Sequence, residues 1–173
     1  TDAAGKIEVV EFFWYECPHC FELEPLLESW VPKLAKDVQF RRVPATFNDR
    51  WKISARVFYA LESMGLEDKL HKPLMDAIHK DRMRITDDRQ RAEWLAKQKV
   101  DVAKFEAAMK SFAVESRLKR ADQLVRDSRI DGVPALGIHG RFYTSPSLVG
   151  GDGAPVSQAH TMALRLTDQL IAQ

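Results

Sequence analysis

The chain of 173 residues is long enough for one domain of ordinary size or for one domain with a large insertion. Its 26 lysines and arginines nearly balance 25 aspartates and glutamates, so its charge favours neither a nucleic acid nor a membrane surface as partner. No apolar run reaches about 18 residues, which excludes a transmembrane helix. The first six residues contain no apolar targeting segment, so we expect a cytosolic chain or one already processed.

The first fifty residues predict a strand, a helix and a second strand. Residues 7–15 are β-branched and aromatic, as expected of a strand buried on both faces, yet they include the acid Glu11. A helix is predicted from Pro18, with a kink at Pro25, because proline removes a backbone donor inside a helix. Residues 38–43 predict the next strand, which should run parallel to the first after a right-handed crossover.

From about residue 48 to residue 129 the strand signals stop and apolar residues recur at helical spacing. Asp101 is a plausible N-cap for one of these helices. The apolar stripes are Ile53, Val57, Phe58, Leu61 and Met64; Leu66, Leu70, Leu74 and Ile78; Trp94 and Leu95; Phe105, Met109 and Phe112; and Leu118, Ala121 and Val125. We therefore predict a helical block of about eighty residues.

Strand signals return after residue 132. Residues 135–138 and 141–143 predict two short strands joined by a turn, followed by a glycine-rich loop over residues 147–155. A final helix is predicted with Val156, Ala159, Ala163, Leu166 and Leu170 on its apolar face. The order predicts an α/β protein in which the first and last parts form two halves of one sheet, with the helical block inserted between them.

The only two cysteines, Cys17 and Cys20, lie three residues apart, where a helical turn brings their side chains together. Pro18 suits the first helical position, which places Cys17 at the helix start, where free N–H groups favour a thiolate. A positive charge on His19 would stabilise that thiolate further. A stabilised thiolate favours the reduced form, so the corresponding disulfide should be strongly oxidising. Cys20 would then be the resolving thiol.

Other uses of the two cysteines are weaker. A structural zinc site needs four ligands, but no second cysteine pair exists and the other histidines are scattered along the chain. A c-type haem needs histidine directly after the second cysteine, where Phe21 stands. Two inert buried thiols remain an alternative, which the strand before and the helix after make less attractive. We therefore expect a redox-active disulfide, with no metal and no other cofactor.

The tetrapeptide Cys17-Pro18-His19-Cys20 resembles that of the thioredoxin superfamily, and within it the DsbA-type thiol:disulfide oxidoreductases of the bacterial periplasm. A second motif, residues 132–134, resembles the superfamily's cis-proline loop, and the helical insertion falls where that family carries its own. The resemblance covers essentially the whole chain. It implies a thioredoxin fold over residues 1–47 and 130–173, with an inserted helical domain over residues 48–129.

The resemblance also implies roles for individual residues. Cys17 would be the nucleophile that forms mixed disulfides, Cys20 the resolving cysteine and His19 the main tuner of the thiolate. Pro134 would be cis and would place the backbone of Val133 against the active-site sulfurs, to pair with an extended substrate peptide.

Two further implications concern charged residues. Glu11 matches the buried acid beneath the family's active site, and a buried carboxyl of raised pKa could take the proton of Cys20 during resolution. Glu24 and Arg42 match a neighbouring acidic and basic pair. The carboxylate of Glu16, directly before Cys17, departs from the family pattern. It should make the couple less oxidising, or have little effect if it points to solvent.

The leading functional prediction is a monomeric dithiol oxidase of the periplasm, with its signal peptide removed. It would donate its disulfide to unfolded exported polypeptides with free cysteines and would be reoxidised by a membrane partner of the DsbB type. Two alternatives remain: a reductase or isomerase on the same fold, and a peptide-binding chaperone module that merely retains the cysteines. Binding of nucleic acid is not expected.

Overall fold

A computed structural model of the chain describes residues 5–151 and 153–173. It divides the chain into two compact units. The first contains the segment up to Phe13, Cys17–Val43 and Val125–Gln173, and the second contains Trp14–Glu16 and Pro44–Leu124. The predicted domain boundaries, at residues 47/48 and 129/130, stay a prediction. Among the described residues, no helix has the length and apolarity needed to cross a membrane.

The first unit contains a four-stranded sheet in the order β2-β1-β3-β4. The strands are β1 (Ile7–Phe13), β2 (Val38–Pro44), β3 (Ala135–Ile138) and β4 (Phe142–Thr144). β3 runs antiparallel to both β1 and β4. The two predicted halves therefore join into one sheet, through the pairing of β1 with β3. β2 lies next to β1, and their parallel orientation stays a prediction. β1 is two residues shorter than predicted, and β4 begins one residue later.

Two helices of the first unit pack against each other, and one of them also contacts β3 and β4. They are α1 (Pro18–Trp30), which is followed by a short 3₁₀ helix (Val31–Lys33), and α8 (Val156–Ile171), which makes the strand contacts. Pro25 lies within α1 at an exposed position, and the kink predicted there stays a prediction. The core of this unit is formed by Leu23, Leu27, Leu136, Ile138 and Leu164.

The predicted apolar face of α8 was partly wrong. Its buried residues are Ala159, His160, Ala163, Leu164 and Thr167. Val156, the first residue of the helix, is exposed, while Leu166 and Leu170 are half-buried and Leu170 packs against the core. The centre of the buried face thus includes a histidine and a threonine, which a search for apolar spacing passes over.

The glycine-rich segment predicted as a loop contains a short helix, α7 (Pro146–Gly150). Ser145 caps it by accepting a hydrogen bond from the backbone N–H of Leu148 at 3.2 Å, and Pro146 is favourable at the first helical position. A Cβ added at Gly150 would lie 2.7 Å from that of Ala159, so glycine permits the close approach of α7 to α8. Residue 152 of the predicted loop lies outside the described residues.

Helices dominate the second unit, as predicted. They are α2 (Asp49–Ser63), α3 (Glu67–His79), α4 (Asp88–Lys97), α5 (Val102–Met109) and α6 (Phe112–Asp127), whose last three residues belong to the first unit. Asp101 caps α5 as predicted, accepting from the N–H of Lys104 at 3.0 Å. The prediction of one apolar stripe from Phe105 to Phe112 was wrong. The chain leaves the helix after Met109, and Phe112 begins α6 with 86% of its surface exposed.

Candidate active site

The cysteines lie at the start of α1. Cys17 is the N-cap, with extended backbone angles, and Pro18 follows at the first helical position. The backbone N–H of Cys20 donates to Cys17 Sγ at 3.3 Å, as the side chain of an N-cap residue usually accepts. Both cysteines are free thiols; Cys17 keeps 6% of its surface exposed and Cys20 none. The reachable sulfur therefore belongs to Cys17, and Cys20 lies behind it.

This environment lowers the pKa of the Cys17 thiol from 9.0 to about 7. The largest cause is a hydrogen bond from the Cys20 side chain to the thiolate, and burial opposes it. The backbone N–H groups of Cys20 and His19 lower the pKa further, and the charge of His19 is the smallest of the causes. The backbone N–H groups at the helix start therefore contribute to the stabilised thiolate, and the role of His19 as its main tuner stays a prediction.

A loop of the first unit meets Cys17 from the side of β3. The antiparallel register pairs Phe12 with Ala135, so the start of β3 lies beside the end of β1. Immediately before β3, the Val133-Pro134 peptide bond is cis, as the resemblance implied. The Cys17 thiol donates to the carbonyl oxygen of Val133 at 3.7 Å. The structure therefore brings the predicted nucleophile and the predicted peptide-binding backbone together.

Glu11 lies in β1 with no exposed surface, and Arg42 links it to Glu24 within the first unit. Arg42 Nε donates to Glu11 Oε2 at 3.1 Å, and an Arg42 terminal nitrogen donates to Glu24 Oε2 at 3.0 Å. Burial raises the pKa of Glu11 to about 8; the charges of Glu24 and Cys17 raise it too, while Arg42 lowers it. Glu11 Oε1 has no hydrogen-bond partner among the described residues. A carboxyl with this pKa can gain or lose a proton near neutral pH.

Glu16, in the second unit, does not point freely into solvent, which was one of the two expectations for it. Its side chain is 11% exposed and forms an ion pair with Arg50. The ion pair raises the pKa of Arg50 above its usual range. Arg50 also lies 5.7 Å from the ring centre of Trp14. The carboxylate that departs from the family pattern is therefore partly neutralised by a cation that the sequence analysis did not single out.

His19 is exposed, and its closest charged partner is Glu22, one turn further along α1. His19 Nδ1 lies 3.3 Å from Glu22 Oε2, and the rings of His19 and His160 meet edge to face with their centres 6.4 Å apart. His160 is buried in α8, where burial lowers its pKa. Although the other histidines are scattered along the sequence, the fold brings His160 next to His19.

Comparison with known proteins supports the redox site that this geometry indicates. The family described as the DSBA-like thioredoxin domain matches residues 33–160. The thiol:disulfide interchange protein DsbA of Bordetella parapertussis is 42% identical over 173 residues, which is all of this chain and 79% of that protein. The chain belongs to the DsbA family.

Solved structures of the DsbA family have a fold similar to that of this chain. The crystal structure of Pseudomonas aeruginosa DsbA has a TM-score of 0.89 and 36% identity, covering 99% of this chain and 85% of that chain. The structure of DsbA from Xylella fastidiosa has a TM-score of 0.83 and 30% identity, covering 99% and 89%. The predicted fold, a thioredoxin fold that carries an insertion, is confirmed, and the chain is a thiol:disulfide oxidoreductase.

Sequence reasoning missed three charged or polar residues: Glu22 and His160 of the first unit, near the cysteines, and Arg50 of the second unit, the partner of Glu16. Glu22 stands three residues after His19, and this spacing could have identified it as a neighbour on one helical face. Arg50 and His160 are 34 and 141 residues from the side chains they approach, so no local pattern reveals them.

Proposed function

We propose that this chain is an oxidase, which donates the disulfide between Cys17 and Cys20 to unfolded exported polypeptides that carry free cysteines. The observation that carries the proposal is the position of Cys17 Sγ at the start of α1, where it accepts the N–H of Cys20. A lowered thiol pKa means that the reduced form is stabilised and that Cys17 is a good leaving group. Both effects drive electrons from the substrate towards the enzyme.

The reaction proceeds in two exchanges. A substrate thiolate attacks Cys17 Sγ of the enzyme disulfide, and Cys20 leaves as a thiolate that takes up a proton. A second substrate thiolate then attacks the substrate sulfur of the mixed disulfide, and Cys17 leaves as its stabilised thiolate. The substrate loses two electrons and its two thiol protons, and the enzyme becomes a dithiol. The enzyme works in the periplasm, where a membrane partner of the DsbB type then reoxidises it.

We assign to Glu11 the role of exchanging a proton with Cys20. With a pKa near 8, the carboxyl holds a proton at neutral pH and can release it as Cys20 becomes a thiolate. In the reverse direction it accepts the proton when Cys20 resolves a mixed disulfide. Arg42 and Glu24 are positioning residues, because Arg42 holds both carboxylates through separate nitrogens. Glu11→Gln should therefore slow the release of mixed disulfides without abolishing it.

Substrate binding is assigned to the backbone at Val133, with Pro134 buried behind it. An extended peptide that pairs with this backbone would bring its sulfur to Cys17, whose own thiol already reaches the Val133 carbonyl. Peptide recognition through main-chain groups depends little on which side chains the substrate carries. Such binding suits an enzyme with many unfolded clients, and the proposal includes a monomer that works with no other cofactor.

The test compares three activities of the same preparation. The disulfide form should oxidise a reduced two-cysteine peptide in one rapid turnover, and Cys17→Ser should lose this activity completely. Insulin reduction driven by a thiol reagent should be slow, and it would exceed peptide oxidation if the chain were a reductase. Suppression of the aggregation of an unfolded protein by Cys17→Ser, with peptide oxidation absent from the parent chain, would favour the chaperone module instead.

A further inference from the structure

Three side chains beside the cysteines converge on one point of the first unit. His19 and Glu22 lie on one face of α1, and His160 lies on α8, which packs against α1. One ligand atom from each of the three lies within 4.8 Å of the other two. Within this cluster, His19 Nδ1 lies 3.3 Å from Glu22 Oε2. The disulfide chemistry proposed above uses neither Glu22 nor His160.

His160 is the unexpected member of this cluster. Only 1% of its surface is exposed, and its Nε2 has no hydrogen-bond partner among the described residues. A buried polar atom without a partner costs free energy comparable to a lost hydrogen bond, so its presence calls for a ligand. An imidazole nitrogen with a free lone pair is a common ligand of divalent metal ions.

We propose that His19, Glu22 and His160 form a binding site for a divalent transition-metal ion of the zinc class. Two imidazole nitrogens and one carboxylate oxygen are a donor set that suits zinc, whereas magnesium and calcium prefer oxygen donors alone. Ligand atoms bound at about 2.0–2.1 Å in a tetrahedral site lie roughly 3.3 Å apart. The pair on α1 already has that spacing, and movement of exposed side chains can bring the third donor to it.

The position of the two donors on α1 makes the site adjustable. The His19 and Glu22 side chains are 57% and 49% exposed, so they can turn towards an ion without disturbing the core. The buried imidazole on α8 supplies the fixed point. Because His19 stands between the two cysteines in sequence, an ion held there would engage a residue of the active-site motif. The inference concerns binding alone and does not depend on the direction of disulfide transfer.

The experiment is a calorimetric titration of zinc chloride into the disulfide form of the full chain, in which neither cysteine can act as a ligand. We expect one saturable ion per chain and no binding of magnesium chloride. Glu22→Gln and His160→Gln should each weaken zinc binding by at least about tenfold. Two matched controls should bind zinc as the parent does: Glu28→Gln, exposed on the same helix, and His139→Asn, an exposed histidine in the turn before β4.

A second readout identifies the ligands without any substitution. Nickel or cobalt added to the disulfide form should broaden the imidazole proton resonances of His19 and His160, and leave those of His139 sharp. Glu22 is exposed, so Glu22→Gln keeps the test decisive even if His160→Gln fails to fold. The proposal is overturned if the disulfide form binds no zinc, if Glu22→Gln binds zinc as tightly as the parent, or if binding needs the free thiols.

Discussion

Replacing Glu11 with glutamine should remove a large part of the pH dependence of stability. The carboxyl has no exposed surface, and its pKa rises from 4.5 to about 8 because burial disfavours the charged form. A carboxyl whose folded-state pKa is raised binds a proton that the unfolded chain has already released. Below its unfolded pKa, this carboxyl therefore does not lower the free energy of unfolding. Its destabilising effect grows as the pH rises towards 8.

The magnitude follows from the size of the shift. Each unit of pKa is worth about 1.4 kcal/mol, so a shift from 4.5 to about 8 sets a ceiling of about 5 kcal/mol. Roughly 3 kcal/mol of this falls between about pH 5 and about pH 8. Glutamine has no proton to take up, so the stability of the variant relative to the parent should increase by up to that amount over this range. Near about pH 5 the variant should gain less than about 1 kcal/mol, because the parent carboxyl is still neutral in the folded state and the pH is only slightly above its unfolded pKa of 4.5.

The assay is urea unfolding of the dithiol form, kept reduced, at several pH values across this window. Both chains retain Cys17, so the titration of its thiol largely cancels from the difference. Glu28→Gln, which removes an exposed carboxyl from α1, should follow the parent at every pH. If the difference between Glu11→Gln and the parent stays constant from about pH 5 to about pH 8, the raised pKa of Glu11 is wrong.

Four further substitutions test the groups around the cysteines. Cys20→Ala should raise the Cys17 pKa above about 7, since it removes the largest stabilising hydrogen bond, and the pH profile of iodoacetamide alkylation would measure the change. Arg42→Met should lower the free energy of unfolding at neutral pH by about 3 kcal/mol, because it removes the cation that the buried carboxylate of Glu24 and the carboxyl of Glu11 share; an unchanged urea midpoint would contradict this. Glu16→Ala should raise the reduction potential by less than about 20 mV, because Arg50 already offsets the charge. Arg50→Ala should lower the potential only when Glu16 is present, and an equal effect in both backgrounds would exclude this coupling.

The part of the site that could be predicted depends on residues that lie close together in the sequence. The cysteine spacing, with proline at the first helical position, determines the cap geometry at Cys17 within a single helical turn. Glu11 could be identified because the two residues on either side of it in β1 are all apolar, which leaves no polar face around it. The two sheet halves followed from runs of β-branched and aromatic residues on either side of a helical block.

The remainder depends on contacts between residues that are distant in sequence. His160 was overlooked because it lies among apolar residues of α8 and reaches His19 only when α8 packs on α1. The exposed start of α6 at Phe112 reflects a break in the helix after Met109, which changes the phase of the apolar pattern. The weak contribution of the His19 charge to the thiolate depends on competing local hydrogen bonds, which residue types alone do not rank.

The central claim is that the stabilised thiolate of Cys17 makes this chain an oxidase. Its most direct test is equilibration of the parent chain with mixtures of reduced and oxidised glutathione, followed by separation of the dithiol and disulfide forms. A pKa lowered from 9.0 to about 7 corresponds to roughly 60 mV of added oxidising power. The account predicts a reduction potential clearly above the −270 mV or so of thioredoxin, and a value at or below that of thioredoxin would contradict it.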